Sequence, residues 1–399
     1  MKQFSFEIKH ASGNQRLMRT GIIHTPHGDI STPAFIPVAT KATVKAMTVD
    51  QIESAGANAL LANAYHLYLQ PGHKLIEKAG GLGKFMNYTG PTFTDSGGFQ
   101  VLSLGSGYKK TVSMDTIESS VASKSTRRAF VDDDGVTFKS HIDGSLHTFT
   151  PELSMEIQHG IGADVCFAFD ELTSLAEPYD YHVEALERTH RWAERSVNRF
   201  RELQTEHQDR PYQALFGVLQ GANVESLRRE TATFMKSQDF DGYGIGGAIE
   251  KSQLYDIVRW TTEILPADKP KHLLGIGEPD DIFAGVAAGI DTFDCVSPTR
   301  VARNGAVYTY DGRYNLRAAI HSASFTPLCH ECECIVCQQY SRAYIHHLLR
   351  AKERLAATLI SYHNEHFILS LMKSIRDSIE KDSFDDLRIH WLNRYYKTK

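Results

Sequence analysis

Apolar and polar positions follow a rhythm along this chain, with short apolar runs separated by amphipathic stretches. Eight runs stand out: Phe35–Val38, Ala59–Ala62, Thr92–Thr94, Val165–Phe169, Leu215–Leu219, Tyr243–Ile245, His272–Ile276 and Thr292–Val296. Each is too short for a stable helix and reads as a buried strand. Between most of them the apolar positions recur at helical spacing. Pro151–Gly160 is opened by Thr150 as a cap with proline in the first turn, and Tyr179–Glu206, Val224–Ser237 and Gln253–Leu265 follow the same pattern. Alternating strand and helix means parallel strands joined by crossovers, and eight of them predict an α/β fold closed as a (β/α)8 TIM barrel. An open doubly wound sheet satisfies the alternation too. The barrel is favoured by the strand ends, which are polar or glycine-rich: Asn63-Ala64-Tyr65-His66, Asp95-Ser96-Gly97-Gly98, Asp170-Glu171, Gln220-Gly221, Gly246-Gly247, Gly277-Glu278 and Asp294. In a barrel these ends share one rim, where active sites form.

Three stretches lie outside the minimal barrel. Gly21–Val38 predicts an N-terminal hairpin around His27-Gly28-Asp29, with Pro26 and Pro33 restricting it to edge positions. Residues 106–149 read as an insertion after the third strand, with a hairpin over Val136–Phe149 and a poorly ordered polar tip near Ser113–Arg128. Beyond the barrel come a metal-ligand cluster and long helices, roughly Gln338–Arg350 and Ala351–Ile379. The expected organisation is a catalytic barrel over 1–303 and a zinc-binding subdomain with C-terminal helices over 304–399.

Composition narrows the picture further. With 42% hydrophobic and 23% charged residues, the 399-residue chain has ample material for a core. The apolar runs are too short and interrupted for a membrane span, and the N-terminus lacks a secretory apolar run. Six cysteines make no disulfide framework in a chain of this length, and four crowd into positions 329–337, so a reducing, cytoplasmic setting is expected. Net charge is −5, yet Arg300–Lys399 holds 15 Lys and Arg against 10 Asp and Glu. A polyanion, if bound, should touch that C-terminal quarter.

Cys332, Cys334 and Cys337, followed by His363, supply three thiolates and an imidazole, the set that closes a tetrahedral structural zinc site; Cys329 and His366 are alternative fourth ligands. Four protein ligands leave no open position for substrate, so the metal serves folding. Asp95, Asp170 and Asp294 stand at strand ends. Carboxylates around one pocket are what substitution at an anomeric carbon requires, and an ordinary glycoside hydrolase satisfies the spacing as well. Gly97-Gly98-Phe99, Gly246-Gly247 and Gly275-Ile276-Gly277 let backbone approach a flat ligand, with Phe99 as a stacking face.

The phrases Thr94–Val101, Ala168-Phe169-Asp170-Glu171, Gly217–Gly221, Phe240–Gly247 and Phe293–Gly305 resemble the motifs of the tRNA-guanine transglycosylase family. So do Cys332-x-Cys334-x2-Cys337, Tyr340–His347 and His363-Asn364, and the similarity runs in order from about Arg16 to Ile379. The resemblance implies exchange of guanine at the wobble position of tRNA with a GUN anticodon for a 7-deazaguanine, by double displacement. By motif, Asp294 is then the nucleophile and Asp95 the general acid/base. Asp170, Ser96, Gln220, Gly247 and Phe99 bind the base, and Arg300 and Arg303 lie beside the RNA. One structural Zn2+ per subunit and a homodimer are further implications.

The sequence departs from the bacterial pattern at Leu172, at Ala222 and over Ala248-Ile249-Glu250-Lys251, all near the expected base pocket. These changes leave the preferred 7-deazaguanine open, the aminomethyl precursor or queuine. A non-catalytic RNA-binding paralogue of the family should have lost one of the three aspartates. A transglycosylase acting on DNA would keep them, because the motifs specify base and sugar chemistry better than the polymer.

Overall fold

The structure, a computed structural model, describes residues 4–11, 17–99 and 129–397. Three antiparallel strands come first, β1 (Ser5–Ala11), β2 (Arg19–Thr25) and β3 (Gly28–Thr32). The barrel strands are β4 (Ala34–Pro37), β5 (Leu60–Ala62), β6 (Thr92–Thr94), β10 (Val165–Phe167), β11 (Ala214–Leu219), β12 (Gly242–Ile245), β13 (Lys271–Leu273) and β14 (Thr292–Cys295), with three strands of the insertion, β7 (Ala129–Val131), β8 (Val136–Lys139) and β9 (Leu146–Phe149), between β6 and β10. The eight pair in parallel in the order β4-β14-β13-β12-β11-β10-β6-β5, and a bridge between Val38 and Leu61 joins the two ends of the sheet. All eight apolar runs are therefore the barrel strands. The expected N-terminal hairpin divides: its first part is β2–β3, and Ala34–Pro37 crosses into the barrel.

Side chains at alternate positions fill the barrel with Ile36, Leu61, Phe93, Phe167, Phe216 and Val218. Phe4 closes the bottom, its ring 6.0 Å from that of Phe216. Carboxylates at the strand starts tie this end together. Arg19 grips Asp291 with two hydrogen bonds of 2.8 and 2.9 Å, and Asp164 accepts from the Thr92 amide and pairs with His27.

Helices Pro151–Ile161, Tyr179–Glu206 and Glu225–Ser237 lie where periodicity places them. Thr150 caps the first through the Leu153 amide. The insertion hairpin is observed as β8 and β9, and β7 adds a third strand. Its expected tip near Ser113–Arg128 lies outside the described residues.

After helix Ser297–Arg303 comes a hairpin that periodicity did not signal, β15 (Ala306–Thr309) with β16 (Gly312–Asn315). The C-terminal helices are Ile335–Gln339, Arg342–Arg350, Arg354–Glu380 and Phe384–Tyr396. Leu371, Met372 and Ile375 of the long one share a core with Leu273, Phe283 and Phe293, so this end of the chain packs directly onto the barrel. Among the described residues no helix is long and apolar enough to cross a membrane.

Candidate functional site

Asp95, Asp170 and Asp294 lie at or just beyond the C-terminal ends of β6, β10 and β14, whereas Asp164 and Asp291 precede their strands. The first three face the rim that builds sites and the others sit at the end that builds stability. Asp95 Oδ1 accepts from the Ala64 amide at 2.8 Å, and Asn63 Nδ2 donates to Oδ2. Asp294 Oδ1 accepts from the Gly275 amide at 2.8 Å and faces His272 Nε2 at 3.0 Å.

Asp170 is buried, and its two oxygens take separate donors. The Ser96 hydroxyl donates to Oδ1 at 2.9 Å and Gln220 Nε2 to Oδ2 at 2.6 Å. Burial pushes this carboxyl up to about 6 against the downward pull of both donors. Gly98 fits beside it because a Cβ there would stand 2.6 Å from the Asp170 carbonyl. Glu171 turns the other way, accepting from Arg188 at 2.5 Å and from the Tyr181 hydroxyl at 2.6 Å.

Beneath Gln220 lies Arg228, fully buried, with its guanidinium donating to the carbonyls of Ala222, Leu219 and Gly246. No carboxylate pairs with it among the described residues, and burial lowers its pKa to about 9. Its Nη2 and Gln220 Oε1 are buried without a hydrogen-bond partner. Both flank Gly247, which has φ +102°, and a Cβ there would lie 2.8 Å from Nη2 and 2.9 Å from Oε1. Ala222 adopts φ +49°, a left-handed conformation that favours glycine.

Phe99 is 39% exposed at the rim. Arg300 and Arg303 follow Asp294 on helix Ser297–Arg303, Arg300 exposed and Arg303 half-buried. Burial and Arg300 hold the Arg303 pKa down, and burial, Arg303 and Lys41 do the same to Lys45. These cations share one side of the site and make no ion pair among the described residues. A group of like charges left uncompensated in this way suits a polyanion.

Behind the rim, the ligand atoms of Cys332, Cys334, Cys337 and His363 all lie within 4.8 Å of one another, a cluster that can hold a metal ion. His363 Nδ1 is 3.6, 3.5 and 3.3 Å from the three sulfurs, close to the roughly 3.6 Å that tetrahedral zinc with ordinary bond lengths sets between nitrogen and sulfur. Its Nε2 meets the Tyr308 carbonyl at 2.8 Å, the outer bond that orients a ligating imidazole. Of the alternative fourth ligands, His366 comes near Cys332 only, at 3.7 Å, and Cys329 is outside the cluster. Asn364 reaches the carbonyls of Pro298 and Ala306, so the helix that carries His363 is fastened to the segment that follows Asp294.

Sequence reasoning missed His272 and Arg228. His272 sits inside an apolar run, and its signal was parity: it faces the barrel interior beside Thr292, two positions from Asp294. Arg228 carried only the signal of a basic residue on the apolar face of its helix.

The chain is a pentosyl-transferring enzyme built on a parallel (β/α)8 barrel, with three carboxylates on its C-terminal rim and a Cys3His cluster behind it. The sequence model described as queuine tRNA-ribosyltransferase matches residues 14–397. The chain is 47% identical over 381 residues to the queuine tRNA-ribosyltransferase of Caldanaerobacter subterraneus, covering 95% of this chain and 94% of the relative. It is 44% identical over 394 residues to that of Halothermothrix orenii, covering 98% of each. The chain belongs to the queuine tRNA-ribosyltransferase family.

Proposed function

We propose that this protein exchanges guanine at the wobble position of tRNA with a GUN anticodon for a 7-deazaguanine, by double displacement. The carrying observation is the array on Asp170, whose buried carboxylate is held by Ser96 and Gln220 from two other strands. Such an acceptor matches the N–H edge of a guanine-like base, and an extruded base needs a flat pocket with paired polar groups. Gln220 and the Gly247 amide would bind the base's carbonyl oxygen, and Phe99 would stack on its ring. Asp294 attacks C1′ of the ribose while Asp95 hands a proton to the departing base; the incoming base reverses both steps. Arg300 and Arg303 take the RNA backbone.

The Cys3His cluster would hold one structural Zn2+ per subunit. It closes the fold behind the site and takes no part in the chemistry. The working organisation is a catalytic barrel over 1–303 with the zinc-bearing part over 304–399, as a homodimer in the cytoplasm where tRNA is found.

The test is incorporation of labelled guanine into GUN-anticodon tRNA by wild type and by Asp294→Ala, with unlabelled 7-deazaguanines competing. Incorporation that needs Asp294, together with a denaturant-resistant RNA adduct absent from the variant, is expected. An adduct formed by Asp294→Ala removes it as nucleophile, and guanine as the only base incorporated refutes the deazaguanine reading. Intact tRNA binding without incorporation sinks the activity, and DNA is the next polymer to try.

A further inference from the structure

His272 and Asp294 face each other in the barrel interior. The ring is fully buried, while the Asp294 side chain keeps 12% of its surface accessible. Phe93 and Phe167 flank the imidazole at 5.8 and 5.3 Å between ring centres, leaving the ring little room to turn. Its Nδ1 meets the Thr292 hydroxyl at 2.8 Å and its Nε2 meets Asp294 Oδ1 at 3.0 Å. An ionised carboxylate only accepts, so Nε2 carries the hydrogen, and the Thr292 hydroxyl satisfies Nδ1.

The Gly275 amide donates to the same oxygen, Oδ1, at 2.8 Å. Both donors on Asp294 therefore converge on one oxygen, and Oδ2 has no hydrogen-bond partner among the described residues. A carboxylate anchored through one oxygen holds the other as a nucleophile of fixed direction, which is the requirement for in-line attack.

We propose that His272 is a positioning residue for the nucleophile, anchoring Oδ1 so that Oδ2 attacks the sugar. This rests on the assignment of Asp294 above. In the first displacement a lone pair of Oδ2 forms the bond to C1′. The C1′–N bond to guanine breaks, its electron pair stays on the base nitrogen, and Asp95 protonates that nitrogen. Oδ1 becomes the carbonyl oxygen of the ester and keeps its two donors. When the incoming base, deprotonated by Asp95, attacks C1′, the bonding pair returns to Oδ2, and the same donors stabilise the carboxylate that leaves.

The test is the rate of covalent RNA adduct formation in single-turnover mixing, with tRNA affinity and thermal midpoint measured on the same samples. The variants are His272→Phe, which keeps a ring without a donor, His272→Gln, which offers an amide N–H to Oδ1, and Asp294→Ala. His272→Phe should slow adduct formation about 100-fold, with tRNA affinity unchanged. His272→Gln should recover most of that loss, and kcat rather than KM for tRNA should carry the effect. A merely structural His272 would lower the thermal midpoint in both variants without rescue by Gln, and that pattern overturns the proposal. Adduct formation at the wild-type rate in His272→Phe overturns it as well. If His272→Phe does not fold, His272→Gln decides, because a Gln variant slowed 100-fold at an unchanged midpoint excludes anchoring by an N–H donor. An adduct in Asp294→Ala would instead show that the nucleophile assignment has failed, and the role of His272 falls with it, whereas the His272 variants overturn that role while the assignment stands.

Discussion

Asp170 makes base binding sensitive to pH, with a sign and size that follow from its surroundings. Burial lifts the carboxyl from an ordinary 3.8 to about 6, although Gln220 and Ser96 both favour the charged form. In the free protein the unfolded chain gives up this proton first. The contribution to stability is therefore complete below about pH 4 and is lost as pH rises through 6, a change on the order of 3 kcal/mol. A base that offers N–H donors reverses the preference, because only the carboxylate accepts from it. Affinity for such a base should be full above pH 6 and fall below it, about tenfold between pH 7 and pH 5, as the ionised fraction drops from about nine-tenths to about one-tenth. Binding near pH 6 should release about half a proton, visible in calorimetry as a dependence on the buffer's ionisation enthalpy. The assay is calorimetric titration of an aminomethyl-7-deazaguanine at pH 7, 6 and 5 into wild type and Asp170→Asn. The variant should bind more weakly at pH 7 and show no trend with pH. A wild-type affinity unchanged from pH 7 to pH 5 would refute the reasoning, since it would mean that Asp170 does not meet the base as a carboxylate.

Cys334→Ser should release the metal, measured by elemental analysis, and expose residues 330–380 to limited proteolysis, because His363 and Asn364 hold that helix to Tyr308 and Pro298. Wild-type protein without bound metal would contradict this. Arg228→Gln strips donors from the Leu219, Ala222 and Gly246 carbonyls and should cost on the order of 3 kcal/mol, read as a lower thermal midpoint. A midpoint equal to wild type would show that the guanidinium does not support the pocket floor. Gly247→Ala places a Cβ between Gln220 and Arg228 at a backbone angle that disfavours it, so KM for the base should rise about tenfold or more while tRNA affinity stays unchanged.

The barrel was legible because its information is local. Each strand is a short apolar run, each connection has helical spacing, and the Asp and Gly clusters sit at the strand ends where a rim must form. The three cysteines announced a candidate metal site because so many soft ligands within a few residues have little other use. The hairpin at Ala306–Asn315 was not legible, since its strands are four residues each and carry too little alternation to read as paired. Sequence favoured His363 as the fourth member of the cluster but left His366 and Cys329 as alternatives. That choice depends on which atom meets the other three in space, and His363 is selected because its outer nitrogen is fixed by the Tyr308 carbonyl. His272 and Arg228 have ordinary neighbours in the chain, and their importance comes from partners on other strands and loops. The sequence by itself determined the order of strands and helices, the rim and the cysteine cluster. Only the tertiary structure decided which donors reach which oxygen of Asp170 and Asp294, because hydrogen bonds between residues tens of positions apart are set by barrel closure and packing.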